Sequence, residues 1–169
     1  LFNIMRGGVF EKGYSLPLKL FQKHLRHFNL PLYQKHKAFL AKLPPELPMQ
    51  TLTAKVRQNG DPDLIRLTAE FLPLSFSRRH GDPSRPWNHF SIHGMDAEGN
   101  TELHYEGNWR DIFQNWEALA YAFPGFAEGM IFKFLNASTI DGYNPYRLTQ
   151  DGIDWEVIDP DDPWSYIGP

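Results

Sequence analysis

The sequence holds no cysteine. A disulfide framework, a cysteine-ligated zinc site and a cysteine nucleophile are therefore all excluded. No apolar run is long enough to span a bilayer. There is no secretory leader pattern, no low-complexity tract and no repeat visible in the letters themselves. A glycine-rich phosphate loop, G-x-S-x-G and H-E-x-x-H are all missing. The seven histidines are scattered without metal-ligand spacing. An excess of positive charge is lacking too: the net charge is −3, which argues against a general nucleic-acid binder.

What is present is a globular composition. The chain has 169 residues, enough for one compact domain spanning 1–169, with 41% hydrophobic and 22% charged residues. Aromatics reach 15%, a surplus that suits either a thick core or a surface that stacks on ring-shaped ligands. The chain begins at Leu1 without Met and runs out in "DPWSYIGP". The expectation is a piece of a longer protein, with that protein's own remainder as its first partner, and the cytoplasm as the default location.

Helical spacing dominates the first half. In "YSLPLKLFQKHLRHF", Ser15 is placed to cap a helix, Pro17 sits early, and Leu16, Leu20, Phe21, Leu25 and Phe28 recur on one face. Pro31 interrupts, and "LYQKHKAFLAKL" repeats the pattern through Leu32, Phe39, Leu40 and Leu43. Every formal charge between Lys12 and Lys42 is positive, which reads as a solvated helix face or as a partner surface. A helix is expected from roughly Thr51 to Arg57. The next one is better marked, with Asp61 as N-cap, Pro62 in the first position and Leu64, Ile65, Leu67 and Phe71 as its apolar face. "PLSFSRRHGDPSRPW" reads as a long polar loop, and the stretch around Asp96 to Asn100 as a hairpin turn. Two helices joined through Pro124-Gly125 follow, the first ending near Phe123. Short strands and turns close the chain. The fold class is mainly α with short β-hairpins.

Three stretches carry unusual polar chemistry. In "NWRDIFQNWEAL", Trp109, Ile112, Phe113, Trp116, Leu119 and Ala120 form an apolar stripe. Arg110 and Asp111 fall in the first turn, where backbone N–H groups lack partners. A forked donor beside a two-oxygen acceptor suits adjacent sugar hydroxyls, each of which donates and accepts. The competing account is that Asp111 complements the helix dipole while Arg110 is solvated. The second stretch gathers Arg78, Arg79, His80 and Arg85, which fits an anion site or salt bridges to Asp82 and nearby acids. Its Trp87 is either a stacking platform or a plug on the core. The third, "DGIDWEVIDPDDPW", holds Asp151, Asp154, Glu156, Asp159, Asp161 and Asp162 beside Trp155 and Trp164. Crowded carboxylates can leave one protonated near neutral pH, which a general acid requires. Calcium is a weaker fit, because the spacing is not that of an EF-hand loop. An acidic surface loop is the plain alternative.

The order of these pieces resembles the six-hairpin, helical-toroid carbohydrate enzymes, nearest to the cellobiose and chitobiose phosphorylase group, and large bacterial proteins in which the same tracts recur. The matching pieces are Arg110, Asp111 and Gln114; then Asp141, Gly142 and Pro145; then Asp161, Asp162 and Trp164. They cover roughly the last third of the chain. Asn115 departs from the family's tract, which has Asp there, and no phosphate-binding residue of the family falls within the chain. The resemblance implies part of an (α/α) helical-hairpin toroid acting on an oligosaccharide or glycoside, with no metal and no cofactor. Inorganic phosphate stays open as a co-substrate, and hydrolysis against phosphorolysis stays undecided. It further implies that Arg110, Asp111 and Gln114 bind sugar, that Asp161 or Asp162 is the general acid, and that Trp109, Trp155 and Trp164 pack on or support the sugar rings. A non-catalytic carbohydrate-binding or scaffold domain is the alternative. A whole toroid takes roughly a dozen helices of about a dozen residues each, more than this chain can supply.

Overall fold

The computed structural model describes residues 9–10, 12–75, 106–107, 109–145, 147–150, 152–155 and 161. Strand β1 (Val9–Phe10) pairs antiparallel with β4 (Leu74–Ser75), Val9 facing Ser75 and Phe10 facing Leu74. The two ends of the first unit therefore stand side by side, about 5 Å apart between paired Cα atoms. Between them lie β2 (Ser15–Pro17), α1 (Leu18–Phe28), α2 (Leu30–Leu40), β3 (Glu46–Pro48), α3 (Met49–Asn59) and α4 (Pro62–Ala69).

That order is one strand–helix–helix pattern used twice. β2 and β3 pair antiparallel with Leu16 opposite Leu47, both 2% exposed. Each strand ends in a Leu-Pro pair and runs directly into an 11-residue helix. Leu18 N–H donates to the Pro45 carbonyl and Met49 N–H donates to the Tyr14 carbonyl, each at 2.9 Å. Buried Phe21 and Leu25 on α1 correspond to buried Leu52 and Val56 on α3. In the second helices, Leu32 and His36 correspond to Leu64 and Thr68, all buried. Few positions keep the same residue, so the letters conceal a repeat that burial and hydrogen bonding preserve.

Local chemistry explains most boundaries. Asn29 caps α2 by accepting from Leu32 N–H, and Pro31 stands in its first turn, where a missing N–H costs nothing. Asp61 caps α4 by accepting from Asp63 and Leu64 N–H. The same carboxylate accepts from Lys35 Nζ at 2.7 Å and lies 2.9 Å from His36 Nε2, tying α2 to α4. Those contacts, Lys35 first, hold the Asp61 carboxyl well below the usual carboxylate range. One expectation is corrected. Ser15 does not cap α1; it lies in β2, and its hydroxyl donates to Glu46 at 2.7 Å. Pro17 takes the cap position without a side-chain hydrogen bond. The helix expected near Thr51 to Arg57 runs longer at both ends.

The second half adds α5 (Trp109–Ala122), a 3-10 turn (Pro124–Phe126) and α6 (Ala127–Ala137). Trp109 near the start of α5 meets Phe134 near the end of α6, ring centroids 5.0 Å apart, so the two helices run antiparallel. Several contacts among the described residues dock the hairpin on the first unit. Tyr14 stacks on Phe126 and meets Phe123 edge-on. Gly129 of α6 sits against the Ala69 carbonyl at the end of α4. Asn136 donates to buried Glu70, which also pairs with Arg66. One hydrophobic core runs through both halves. Among the described residues no helix is long and apolar enough to cross a membrane.

At this junction His24 of α1 has Nε2 3.2 Å from the Leu67 carbonyl and its ring against Phe28 and Phe71. Burial first, then neighbouring Lys133, pushes its imidazole down from 6.5 to about 3; the backbone hydrogen bond opposes this. The unfolded chain takes up a proton near pH 6.5 and the folded chain only near 3. His24's contribution to stability is thus complete above pH 6.5 and fades as pH falls towards 3. Urea midpoints measured at pH 7, 5.5 and 4 are expected to fall in that order, and His24→Gln should flatten the decline.

Candidate functional site

A three-stranded sheet organises the region where the sequence places chemistry. Strands β5 (Glu106–Gly107), β6 (Arg147–Thr149) and β7 (Gly152–Asp154) lie in that order, antiparallel throughout. Gly107 faces Leu148, and Arg147 faces Asp154. The outgoing ends of β5 and β7 therefore leave the sheet on the same side, the side where β6 begins. β5 leads into the first turn of α5, and β7 leads to Trp155 and the acidic stretch. Two strand spacings, roughly 10 Å, separate these exits.

Leu148, 1% exposed, pins the middle strand to the core. Thr149 Oγ1 donates to the Gly152 carbonyl across the turn. Arg147 and Asp154 form a two-pronged ion pair, with Nε and Nη2 at 2.8 and 2.6 Å from Oδ2. Asp154 was grouped with the acidic cluster on sequence grounds, but this contact commits it to the hairpin. The signal was available: Arg147 and Asp154 flank a short turn, where a cross-strand charge pair is favoured. The lead from α6 into β6 is also built by hydrogen bonds. Thr139 N–H donates to the Tyr143 carbonyl, Tyr143 N–H donates to Thr139 Oγ1, and Gly142 takes a left-handed φ of 86°. Pro145 is buried beneath this turn, and Asp141 is exposed on it.

The candidate residues fall as follows. Arg110 and Asp111 are the second and third residues of α5, and Gln114 follows one turn on. Trp109 is 9% exposed and belongs to a cluster with Phe113, Trp116 and Phe134. Its ring is walled in by aromatics, so it supports the helix from below and offers little face to a ligand. Trp155, by contrast, is 45% exposed at the end of β7. Asp161 is an exposed turn residue. Asp162, Trp164, Asp151, Glu156, Asp159, the cluster Arg78, Arg79, His80 and Arg85, Trp87 and the Asp96–Asn100 turn lie outside the described residues.

A groove of about 910 Å³ runs between α5 and α6, lined by Trp109, Phe113, Trp116, Ala120, Ile131 and Phe134 among others. Glu117 is its sole charged wall residue among those described. A sugar needs several convergent donors and acceptors. The indole N–H groups of Trp109 and Trp116 have no partner among the described residues, and both are buried. The groove is a poor sugar site and a better apolar docking face.

Comparison with known proteins gives one family match. Residues 10–73 match the family model for glycoside hydrolase family 149 insertion domain 1. The matched stretch is less than half of the chain and nearly coincides with the unit clasped by β1 and β4. It relates the chain to carbohydrate-active enzymes. None of the candidate site residues falls inside it. No curated protein matches the chain.

Proposed function

We propose that residues from β5 onward contribute to the sugar-cleaving site of a helical-toroid carbohydrate-active enzyme, with residues 9–75 carried beside it as an inserted helical unit. The supporting observation is the sheet. It sends the first turn of α5 and the approach to the acidic stretch out of one side, about 10 Å apart. That separation is of the size a sugar ring and its hydrogen-bonding partners fill. The paired ends of the first unit fit an insertion, because adjoining ends let a unit be carried without stretching its host.

In this reading Arg110, Asp111 and Gln114 hold sugar hydroxyls, and Asp161 or Asp162 protonates the glycosidic oxygen. Trp155 and Trp164 pack on ring faces, and Trp109 braces the helix that carries Arg110. An inverting phosphorylase needs one protein acid, since phosphate is the nucleophile. An inverting hydrolase needs a second carboxylate as base, about 6.5–9.5 Å from the first; Glu156 takes that role. The test is turnover of an oligosaccharide panel by the full-length protein with and without inorganic phosphate. Arg110→Ala and Asp111→Ala should each lower kcat/KM by about 10- to 100-fold, the value of a charged hydrogen bond. Unchanged kcat/KM in both variants removes these residues from the site.

A second reading follows from where the family match lies. An insertion unit need not touch substrate chemistry, and on that ground the chain reads as a non-catalytic carbohydrate-binding or scaffold piece. Oligosaccharide binding without turnover in the full-length protein would favour it.

A further inference from the structure

Helix α6 has two contact faces, and they meet different parts of the molecule. Ala127, Met130 and Phe134 recur at helical spacing and line the groove shared with Trp109, Phe113 and Trp116 of α5. Gly129, Lys133 and Asn136 recur at the same kind of spacing on the next face round. Each of these meets the first unit. Gly129 lies against the Ala69 carbonyl, the Lys133 ammonium stands 5.3 Å from the centre of the Phe28 ring, and Asn136 Nδ2 donates to Glu70 Oε1 at 2.7 Å. α6 is therefore a layer between residues 9–75 and α5.

These contacts differ in what they can hold. A glycine pressed on a backbone oxygen and a cation over a ring both allow α6 small slides along its axis. A hydrogen bond does not, because it weakens steeply with distance and angle. The bond from Asn136 is the directional one of the three, and its acceptor is fixed beforehand. Glu70 is 8% exposed, and Arg66 Nη1, one turn back, donates to the same carboxylate oxygen at 3.0 Å. Phe134, two residues before Asn136, meets Trp109 and Phe113 edge-on, with ring centroids 5.0 and 5.2 Å apart. Trp109 opens α5, and Phe113 follows one turn later.

We propose that Glu70 and Asn136 are positioning residues: their hydrogen bond fixes where α6 lies along the first unit, and Phe134 passes that placement to the first turn of α5. The first unit is then a brace as well as an insertion. That the braced turn holds sugar rests on the function proposed above; the brace itself does not.

Amide hydrogen exchange across the full-length protein tests this. Asn136 is exposed and Ala is the better helix former, so Asn136→Ala removes the bond and leaves α6 at least as helical. The expected result is exchange faster by about 10-fold or more at residues 112–115, since a hydrogen bond to a charged group is lost. Glu70→Gln keeps an oxygen for Asn136 and gives up only the ion pair with half-exposed Arg66. Exchange at residues 112–115 in that variant should stay within about twofold of the parent. Parental exchange there in Asn136→Ala overturns the proposal. So does a Glu70→Gln variant that loosens those amides as much as Asn136→Ala does. Oligosaccharide turnover by the same proteins separates the brace from the sugar site. Faster exchange with kcat/KM lowered about 10-fold in Asn136→Ala supports both. Faster exchange with kcat/KM unchanged supports the brace and removes the first turn of α5 from the sugar site.

Discussion

Gly129→Ala should destabilise the chain by about 1–3 kcal/mol, the cost of forcing atoms into a packed contact. On an exposed helix the same change would help, because Ala is about 1 kcal/mol better than Gly in a helix interior. Here the sign reverses. A Cβ at Gly129 would lie 2.2 Å from the Ala69 carbonyl oxygen and 3.2 Å from Leu72 Cδ2. The first contact is backbone and cannot turn aside, so α6 must back away from α4. That retreat loosens Glu70 from Asn136 and Tyr14 from Phe126, the contacts that join the hairpin to the first unit. Each kcal/mol lowers Tm by about 2–4 °C for a chain of this size. Gly60→Ala is the comparison. Gly60 has open space around it but a φ of 80° at the end of α3, so its cost is local strain, about 1 kcal/mol. Thermal unfolding should rank Gly129→Ala below Gly60→Ala and Gly60→Ala below the parent. The reverse order would mean that α6 does not pack on α4 as described.

The other large effect concerns chemistry. In the full-length protein, replacing the general acid by Asn should lower kcat by about 100- to 10,000-fold, the usual contribution of proton transfer. Asp161→Asn and Asp162→Asn are made separately, and one of them is expected to show it. Asp161 is exposed on its turn, so Asn there removes the proton without disturbing packing. A glycoside with a strongly acidic leaving group needs little protonation and should be cleaved nearly as well by the affected variant. That difference separates loss of an acid from loss of structure. If both variants turn over ordinary glycosides at the parental rate, neither residue is the acid.

Much of the fold was legible where local chemistry decides it. Asp61 and Pro62 mark the start of α4 because a side-chain acceptor and a missing N–H suit a helix beginning and little else. Most of the α5 stripe was likewise readable: Trp109, Ile112, Trp116 and Leu119 are buried as their spacing requires, Ala120 is partly buried, and Phe113, expected with them, is 44% exposed. Ser15 was misread because its partner, Glu46, lies 31 residues away on another strand. The repeated strand–helix–helix pattern escaped for a related reason. Leu52 can stand where Phe21 does, and Val56 where Leu25 does, since burial constrains character and volume more than identity. At the candidate site, the helix and the strands were legible. Their common exit side was not, because it follows from strand register, which depends on pairing between distant segments. Asp154 differs: it and Arg147 flank a short turn, so their cross-strand pair was within reach of the sequence.

The central claim is that the first turn of α5 and the acidic stretch face one sugar. A crystal structure of the full-length protein with a bound oligosaccharide tests it most directly. The account predicts one saccharide held by Arg110 or Asp111, with the carboxyl of Asp161 or Asp162 within hydrogen-bond reach of a glycosidic oxygen of that same molecule. A saccharide bound elsewhere, with those two groups on different faces of the protein, would contradict it.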